Sequence, residues 1–277
     1  MPTSRLAGKA FTYVLLIVGA AIVSIPFLWT VSTALKAPAQ VYAVPVEWIP
    51  KPIMWENFAQ AWTVLPFFRF LRNTVFVTLM CLVGQLFSAS LVAYGFARFD
   101  FRGRTALFYL LLGTMMLPGQ VTMIPTFLIW REFRLVDTFA PLIVPAYFGG
   151  GAFTIFLLRQ FFMTIPRDLD EAAMIDGCSY FGIWWRIILP LSKPALTTVV
   201  IFSFISHWDE FMGPLIYLHT MDKYTVSIGL RMFQDMYGGQ LELLMAASLI
   251  HITPCIILFI AAQRYFIKGI VMSGIKA

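Results

Sequence analysis

Residues 170–194 read DEAAMIDGCSYFGIWWRIILPLSKP, between two long apolar segments, and this stretch decides the fold. Pro166 and Asp168 precede a helix-compatible run, so Asp168 or Asp170 is placed to cap it. Acidic residues in a first turn also suit the positive end of the helix dipole. Ala172, Ala173 and Met174 are good helix formers. Gly177 would cost about 1 kcal/mol against Ala inside a helix, so it marks a break or a close backbone contact. The helical pattern resumes from Phe181 to Leu189, and Pro190 ends it or bends it into the next segment. The expectation is two short helices lying across a membrane face and joined near Gly177. An amphipathic interfacial connector with no partner would look the same on these grounds alone.

The remainder of the chain has the composition of a membrane protein. Its 277 residues are 60% hydrophobic and only 12% charged, with a mean hydropathy of +0.80, outside the range of soluble domains. A span needs about 20 apolar residues, so the chain accommodates roughly six. The net charge of +6 is spread over few groups, which fits basic flanks kept on one membrane side rather than nucleic-acid binding. Cys81, Cys178 and Cys255 are far apart and show no metal-ligand spacing. Arg5 and Lys9 precede an apolar run from Phe11 to about Thr33, too long for a signal-peptide core and therefore a retained first span.

The expected spans are 11–33, 73–97, 105–130, 139–160, 194–218 and 243–263, in one transmembrane domain covering 11–277 after a short N-terminus at 1–10. The loop at 165–193 and the tail at 264–277 lie outside them. Ala89, Ala93 and Ala97, with Gly84 and Ser88, form small-residue stripes that let helices approach closely; generic helix packing accounts for them. Under six spans, twelve of the 20 Lys and Arg fall on the side of both termini and eight on the other. The dense turn Arg98, Arg102, Arg104 is the clearest vote. The basic side is cytoplasmic, so both termini and loop 165–193 face the cytoplasm.

Catalytic chemistry is not expected. The chain has no G-x-x-x-x-G-K-[ST] phosphate loop, so it cannot hydrolyse ATP alone. His207, His219 and His251 lack metal-ligand spacing. Three stretches carry candidate functional groups. Met116-Leu117-Pro118 with Gln120, followed by Ile124-Pro125, reads as a broken helix whose freed carbonyls need protein or a wet path, or as a simple kink. Trp208-Asp209-Glu210-Phe211, then Gly213-Pro214, begins roughly 22 Å along a helix from Pro194 at 1.5 Å per residue. Ionisable groups at such depth face a bundle interior or wet cavity, unless the helix already ends there in headgroup water. The tail Gln263-Arg264-Tyr265-Phe266-Ile267-Lys268-Gly269 is a basic stop after a span.

These motifs together resemble the permease subunits of bacterial ABC importers. Glu171-Ala172-Ala173, Asp176-Gly177, the apolar run and Pro190 resemble their EAA loop. The run at 208–214 is similar to W-N-E-F…P of sugar-type permeases, with Asp209 where Asn is usual. The tail is similar to the ending of the maltose-type second (MalG-like) permease. The resemblance implies an all-α integral membrane protein with six transmembrane helices, the type I ABC importer permease fold, in a bacterial or archaeal cytoplasmic (inner) membrane. It implies that Glu171, Ala172, Ala173, Asp176, Gly177 and Pro190 couple to an ATPase. Arg264, Tyr265, Phe266, Lys268 and Gly269 would contact that ATPase. Pro118, Gln120, Pro125, Trp208, Asp209, Glu210 and Pro214 are candidates for the translocation pathway. The implied partners are a second permease, an ATPase dimer carrying ATP and magnesium, an extracytoplasmic solute-binding protein and the bilayer. No cofactor or metal is expected on this chain. The segment 219–242, with tight turns at Gly238 and Gly239, would face the binding protein. The expected solute is a sugar or oligosaccharide. The alternatives are a non-sugar solute such as glycerol phosphate on the same fold, or a self-contained carrier or channel, which should show inverted repeats and act alone.

Overall fold

The computed structural model describes residues 2–236 and 240–274, with side chains over 8–234 and 240–263. Among the described residues the regular structure is entirely helical. In chain order the α-helices are α1 (Pro2–Ala34), α2 (Pro38–Val41), α3 (Glu56–Val64), α4 (Phe67–Arg98), α5 (Arg104–Thr114), α6 (Gly119–Glu132), α7 (Ala140–Ile143) and α8 (Ala152–Phe162). They continue as α9 (Asp168–Ile175), α10 (Tyr180–Leu191), α11 (Lys193–Trp208), α12 (Met212–Tyr217), α13 (Val226–Met236) and α14 (Leu241–Gly274). Four segments are long and apolar enough to cross a membrane: Gly8–Ala34, Phe67–Arg98, Ala140–Phe162 and Leu241–Gln263. Two bent pairs, α5 with α6 and α10 with α11, bring the number to six if each is one span.

The chain divides into two units, Met1–Phe68 with Gly229–Thr253, and Arg69–Ile228 with Pro254–Ala277. In the first, the apolar window of α1 has no buried residues, as suits a helix surrounded by hydrocarbon rather than by its own chain. Beyond α1, Asn57 of α3 donates to the carbonyls of Ala34 at 2.9 Å and Lys36 at 2.8 Å. Lys36 is fully buried, with its ammonium 3.9 Å from the Trp29 ring centroid, and burial lowers its pKa against the pull of Glu47.

The second unit is built on α4, about 48 Å of unbroken helix. Ala89, Ala93 and Ala97 are buried in a core with Ile155, Leu158 and Phe162 of α8, Ile183, Trp184 and Ile188 of α10, and Val199 of α11. The small residues of α4 thus mark where neighbouring elements pack closely. A Cβ on Gly84 would lie 2.5 Å from the Tyr147 ring. Gly149, Gly150 and Gly151 all have positive φ, a backbone path that only glycine follows without strain, and Gly150 passes directly over Gln85 and Ala89.

Each proline break has a local cause. Pro118 has no N–H to continue α5, so the chain turns by 96° and restarts as α6. Pro190 does not end α10. Trp184–Ile188 widens into a π turn in which the Leu189 N–H reaches the Trp184 carbonyl, which accommodates the proline ring. The 81° bend into α11 falls two residues later, at Ser192. The single helix expected over 194–218 is interrupted: α11 ends at Trp208 and α12 starts at Met212. Pro214 would clash with the carbonyl of Glu210 in a continuous helix. The polar segment 219–242 is largely helical, with a 3-10 turn at Met221–Lys223 and then α13. Gly238 and Gly239 lie outside the described residues.

Candidate functional site

Residues 168–191 fold as a helical hairpin, α9 and α10, joined through Asp176–Ser179. The N-cap of α9 is Arg167, with no side-chain hydrogen bond. Asp168 and Asp170 are therefore not caps; both fall inside the first turn with Glu171, where the helix dipole favours them. Gly177 takes a φ of +80° and closes the helix as a left-handed terminator. Ser179 caps α10, its hydroxyl accepting the Gly182 N–H at 3.2 Å.

One face of this hairpin is open. Glu171, Ala172, Asp176 and Gly177 are exposed, and they sit with bare apolar side chains, among them Met174, Phe181, Trp185 and Ile175, the last 87% exposed. Ala173 points the other way, into the core. Pro190 is exposed at the far end of α10, away from the group.

The buried face is fastened to the end of α4. Arg98 Nε lies 2.9 Å from Asp170 Oδ2, with side chains only 4% and 11% exposed. Arg98 Nη2 also donates to the Ile165 carbonyl at 3.0 Å. Arg167 approaches Asp100 at 3.5 Å, and Asp100 pairs with Arg104. Burial pushes the Asp170 carboxyl up; Arg98 and Arg167 pull against that shift without cancelling it. In the sequence Arg98 stands out only as part of a basic turn and Asp170 only as a candidate cap; their pairing follows from the packing of α4 against α9.

A separate cavity of about 270 Å³ lies among α4, α7, α11 and α12. Trp208, Glu210 and Pro214, three of the candidates for the translocation pathway, line it together with Thr74, Cys81, His207 and Tyr217. Asp209 is exposed and does not line it, and neither do Pro118, Gln120 or Pro125, which are exposed on the α5–α6 pair. Behind the cavity a polar chain crosses three helices. His207 Nε2 lies 2.9 Å from Gln85 Oε1, and Gln85 Nε2 donates to Thr154 Oγ1 at 2.8 Å. Helix α4 lines both sites, with Thr74 at the cavity and Arg98 at the hairpin, about 36 Å apart at 1.5 Å per residue.

The loop before α7 is stapled to the loop after α12. Asp137, at φ +59°, accepts the N–H groups of His219 and Thr220 at 2.9 and 3.0 Å and the Lys223 ammonium at 2.8 Å. Burial would raise its pKa, but these bonds from Lys223, Thr220 and His219 outweigh it and hold the carboxyl well below the usual range. Asn73 of α4 donates to the carbonyls of Asp222 and Tyr224. This staple had no signature in the sequence. The side chains of Arg264, Tyr265, Phe266 and Lys268, and the surroundings of Gly269, lie outside the described side chains; the backbone there continues α14. Among the described residues no group of His, Cys, Asp and Glu is placed to hold a metal.

Residues 85–271 match the family of binding-protein-dependent transport system inner membrane components. The chain is 34% identical over 273 residues to a probable ABC transporter permease protein, YurM, of Bacillus subtilis (strain 168), covering 97% of this chain and 89% of the relative. It is 35% identical over 228 residues to the arabinooligosaccharides transport system permease protein AraQ of Halalkalibacterium halodurans, covering 82% and 81%. To the sn-glycerol-3-phosphate transport system permease protein UgpE of Yersinia pestis it is 31% identical over 281 residues, covering 99% of each. Among solved structures, a bacterial ABC transporter involved in the import of the acidic polysaccharide alginate gives a TM-score of 0.84 at 26% identity, over 96% of this chain and 98% of that chain.

Proposed function

Since this chain belongs to the family of binding-protein-dependent transport system inner membrane components, we propose that it forms half of the translocation pathway of a sugar or oligosaccharide importer and converts ATPase closure into alternating access. It is a multi-pass protein of the inner membrane, and ATP is hydrolysed by a separate subunit. The partners are a second permease, an ATPase dimer and a solute-binding protein outside. In this reading both termini and the α9–α10 hairpin are cytoplasmic, on the side of the membrane where the ATPase sits. The tail at 264–277 is assigned a contact with the same subunit.

One observation carries the mechanism: the exposed α9–α10 face is fastened through Arg98 and Asp170 to α4, whose other end lines the cavity. A docked ATPase grips Glu171, Ala172, Asp176, Gly177 and the apolar residues around them. Its closure moves the hairpin as a body. The buried ion pair makes α4 follow, because separating it would leave two uncompensated charges in a low-dielectric core. Movement of α4 then opens or closes the cavity near Thr74 and Cys81, and packed elements transmit such rigid-body shifts with little loss.

Sugar as the solute is supported by the arabinooligosaccharide permease among the relatives. The glycerol-3-phosphate permease, matched over almost the whole chain, supports the same machinery with a different cargo. The test is purification of this chain from its native membrane, with every co-purifying protein identified by mass. An ATPase, a second permease and a binding protein are expected, and the solute held by the binding protein then names the cargo. A chain that purifies alone and moves solute in liposomes without ATP would overturn the importer reading in favour of a self-contained carrier.

A further inference from the structure

We propose that a cavity at the ends of α4, α5 and α8 holds the phosphate of an anionic phospholipid, drawn from the leaflet on the hairpin side of the membrane. The proposal needs the chain to lie in a membrane and is independent of the solute carried.

The cavity, of about 170 Å³, is lined by Arg98, Arg104, Arg159 and Arg167 beside apolar residues of α4 and α8. Four guanidinium groups share one small space, and no carboxylate is found among the described lining residues. Two carboxylates answer them from outside the lining. Asp170 pairs with Arg98, and Asp100 is shared between Arg104 and Arg167. Arg159 has no carboxylate partner among the described residues. The adjoining cavity, of about 310 Å³, shares Arg98 and Arg167 but is also lined by Asp100, Asp170 and Glu171, which would repel an anion.

The guanidinium groups are held in place by bonds that use only part of each. Arg159 donates Nε to the Phe96 carbonyl at 3.3 Å and stacks on Phe108, its Cζ 4.1 Å from the ring centroid. Arg98 Nη2 donates to the Ile165 carbonyl at 3.0 Å, and Arg104 Nη1 to the Phe99 carbonyl at 3.0 Å. A guanidinium carries five N–H donors, so both Nη groups of Arg159 remain for a ligand. Planar forks fixed in this way match the oxygens of a phosphate.

Position selects a lipid as the source of that phosphate. Helix α4 ends at Arg98, α5 begins at Arg104 and α8 ends at Phe162, so the cavity lies where three apolar helices stop or start. For helices of spanning length this is the level of the head groups, and basic pockets between helices are where anionic head groups bind. Leu107 and Leu110 of α5 and Phe153 of α8, further into the bilayer along the same helices, are at least half exposed and offer apolar surface to acyl chains. The cavity is also smaller than solute pockets, which start near roughly 300 Å³, and takes a phosphate group rather than a whole solute.

The test uses the complex purified from its native membrane in mild detergent, with phosphatidylglycerol and phosphatidylcholine supplied equally. Lipids that stay bound are counted by native mass spectrometry. Phosphatidylglycerol is expected to be retained in preference, and Arg159→Gln to weaken its binding about fivefold, about 1 kcal/mol. Arg102→Gln, in the exposed turn between α4 and α5 and outside the cavity, is expected to change little. If Arg159→Gln fails to assemble, Arg104→Gln, at a side chain 29% exposed, carries the same expectation. Inorganic phosphate in place of chloride, at equal ionic strength, is expected to leave the lipid bound. Equal retention of the two lipids, unchanged retention in Arg159→Gln, or an equal loss in Arg102→Gln would each overturn the site. Displacement of the lipid by inorganic phosphate would overturn it in favour of a free anion. Loss of a co-purifying ATPase from Arg159→Gln with the lipid still bound would overturn it in favour of an acidic segment of that subunit. Absence of an ATPase from the wild-type complex touches only the importer reading.

Discussion

Arg98, the last residue of the long helix α4, meets Asp170, in the first turn of α9, with Nε 2.9 Å from Oδ2 and both side chains almost sealed from solvent. Two charges taken out of water hold together strongly only as a pair, and removal of one partner from such a pair costs about 3–5 kcal/mol. Arg98→Met and Asp170→Leu are each expected to lower the thermal stability of the purified complex. The double variant should recover most of that loss, because no lone charge is left buried. Uptake should fall at least tenfold in all three, since the tie that makes α4 follow the hairpin is gone. Wild-type melting and wild-type uptake in Arg98→Met would show that the pair does neither job.

Gly177 sits at the turn of the hairpin with φ +80°, and nothing lies within 4 Å of where its Cβ would be. A side chain there meets no clash within this chain and carries only the left-handed backbone penalty, about 1–2 kcal/mol. Gly177→Asp should therefore insert into the membrane at near-normal levels yet abolish transport, because the docking face gains bulk and charge. Immunoblotting of membranes alongside uptake measures both. Normal uptake would remove Gly177 from the docking face.

The glycines before α8 allow a sharper comparison. Gly150, at φ +60°, would place a Cβ 2.8 Å from the Gln85 carbonyl oxygen, whereas Gly151, at φ +89°, faces open space. Both substitutions to Ala strain the backbone, but only Gly150→Ala also forces α4 and its neighbour apart, adding about 1–3 kcal/mol of overpacking. Thermal melts of the two variants should differ in that order. Equal melting temperatures would show that α4 yields freely at Gln85.

The Asp137 staple predicts a pH dependence with a definite sign. Its carboxyl is held below the ordinary range in the folded protein, so its contribution is complete above the unfolded carboxylate value of about 3.9. That contribution is lost only as pH falls through the lower, folded value. Amide exchange at His219 and Thr220, compared between wild type and Asp137→Asn, should show a constant extra protection in the wild type from pH 8 to pH 5. Asn also tolerates the left-handed backbone found here, so the variant isolates the charge. Protection that already fades between pH 7 and pH 5 would contradict the depressed carboxyl.

What the sequence determined by itself is local or compositional. The apolar content set the class of protein, because a bilayer admits only chains whose backbone polar groups are satisfied internally. Gly177 ended α9 and Pro118 broke the third apolar segment, since a left-handed turn and a missing N–H act on immediate neighbours whatever the surroundings. The tertiary structure decided the rest. Arg98 looked like a topology marker and Asp170 like a helix cap; only the packing of α4 against α9 made them partners. Asp137, Lys223 and Thr220 were unremarkable loop residues until α7 and α12 brought their loops together. Trp208, Glu210 and Pro214 line one cavity while Asp209, their chain neighbour, does not, because the break before α12 turns it away. Propensity belongs to a residue and its neighbours in the chain, whereas an ion pair, a staple or a cavity depends on which helix faces meet, and that is settled by packing in three dimensions.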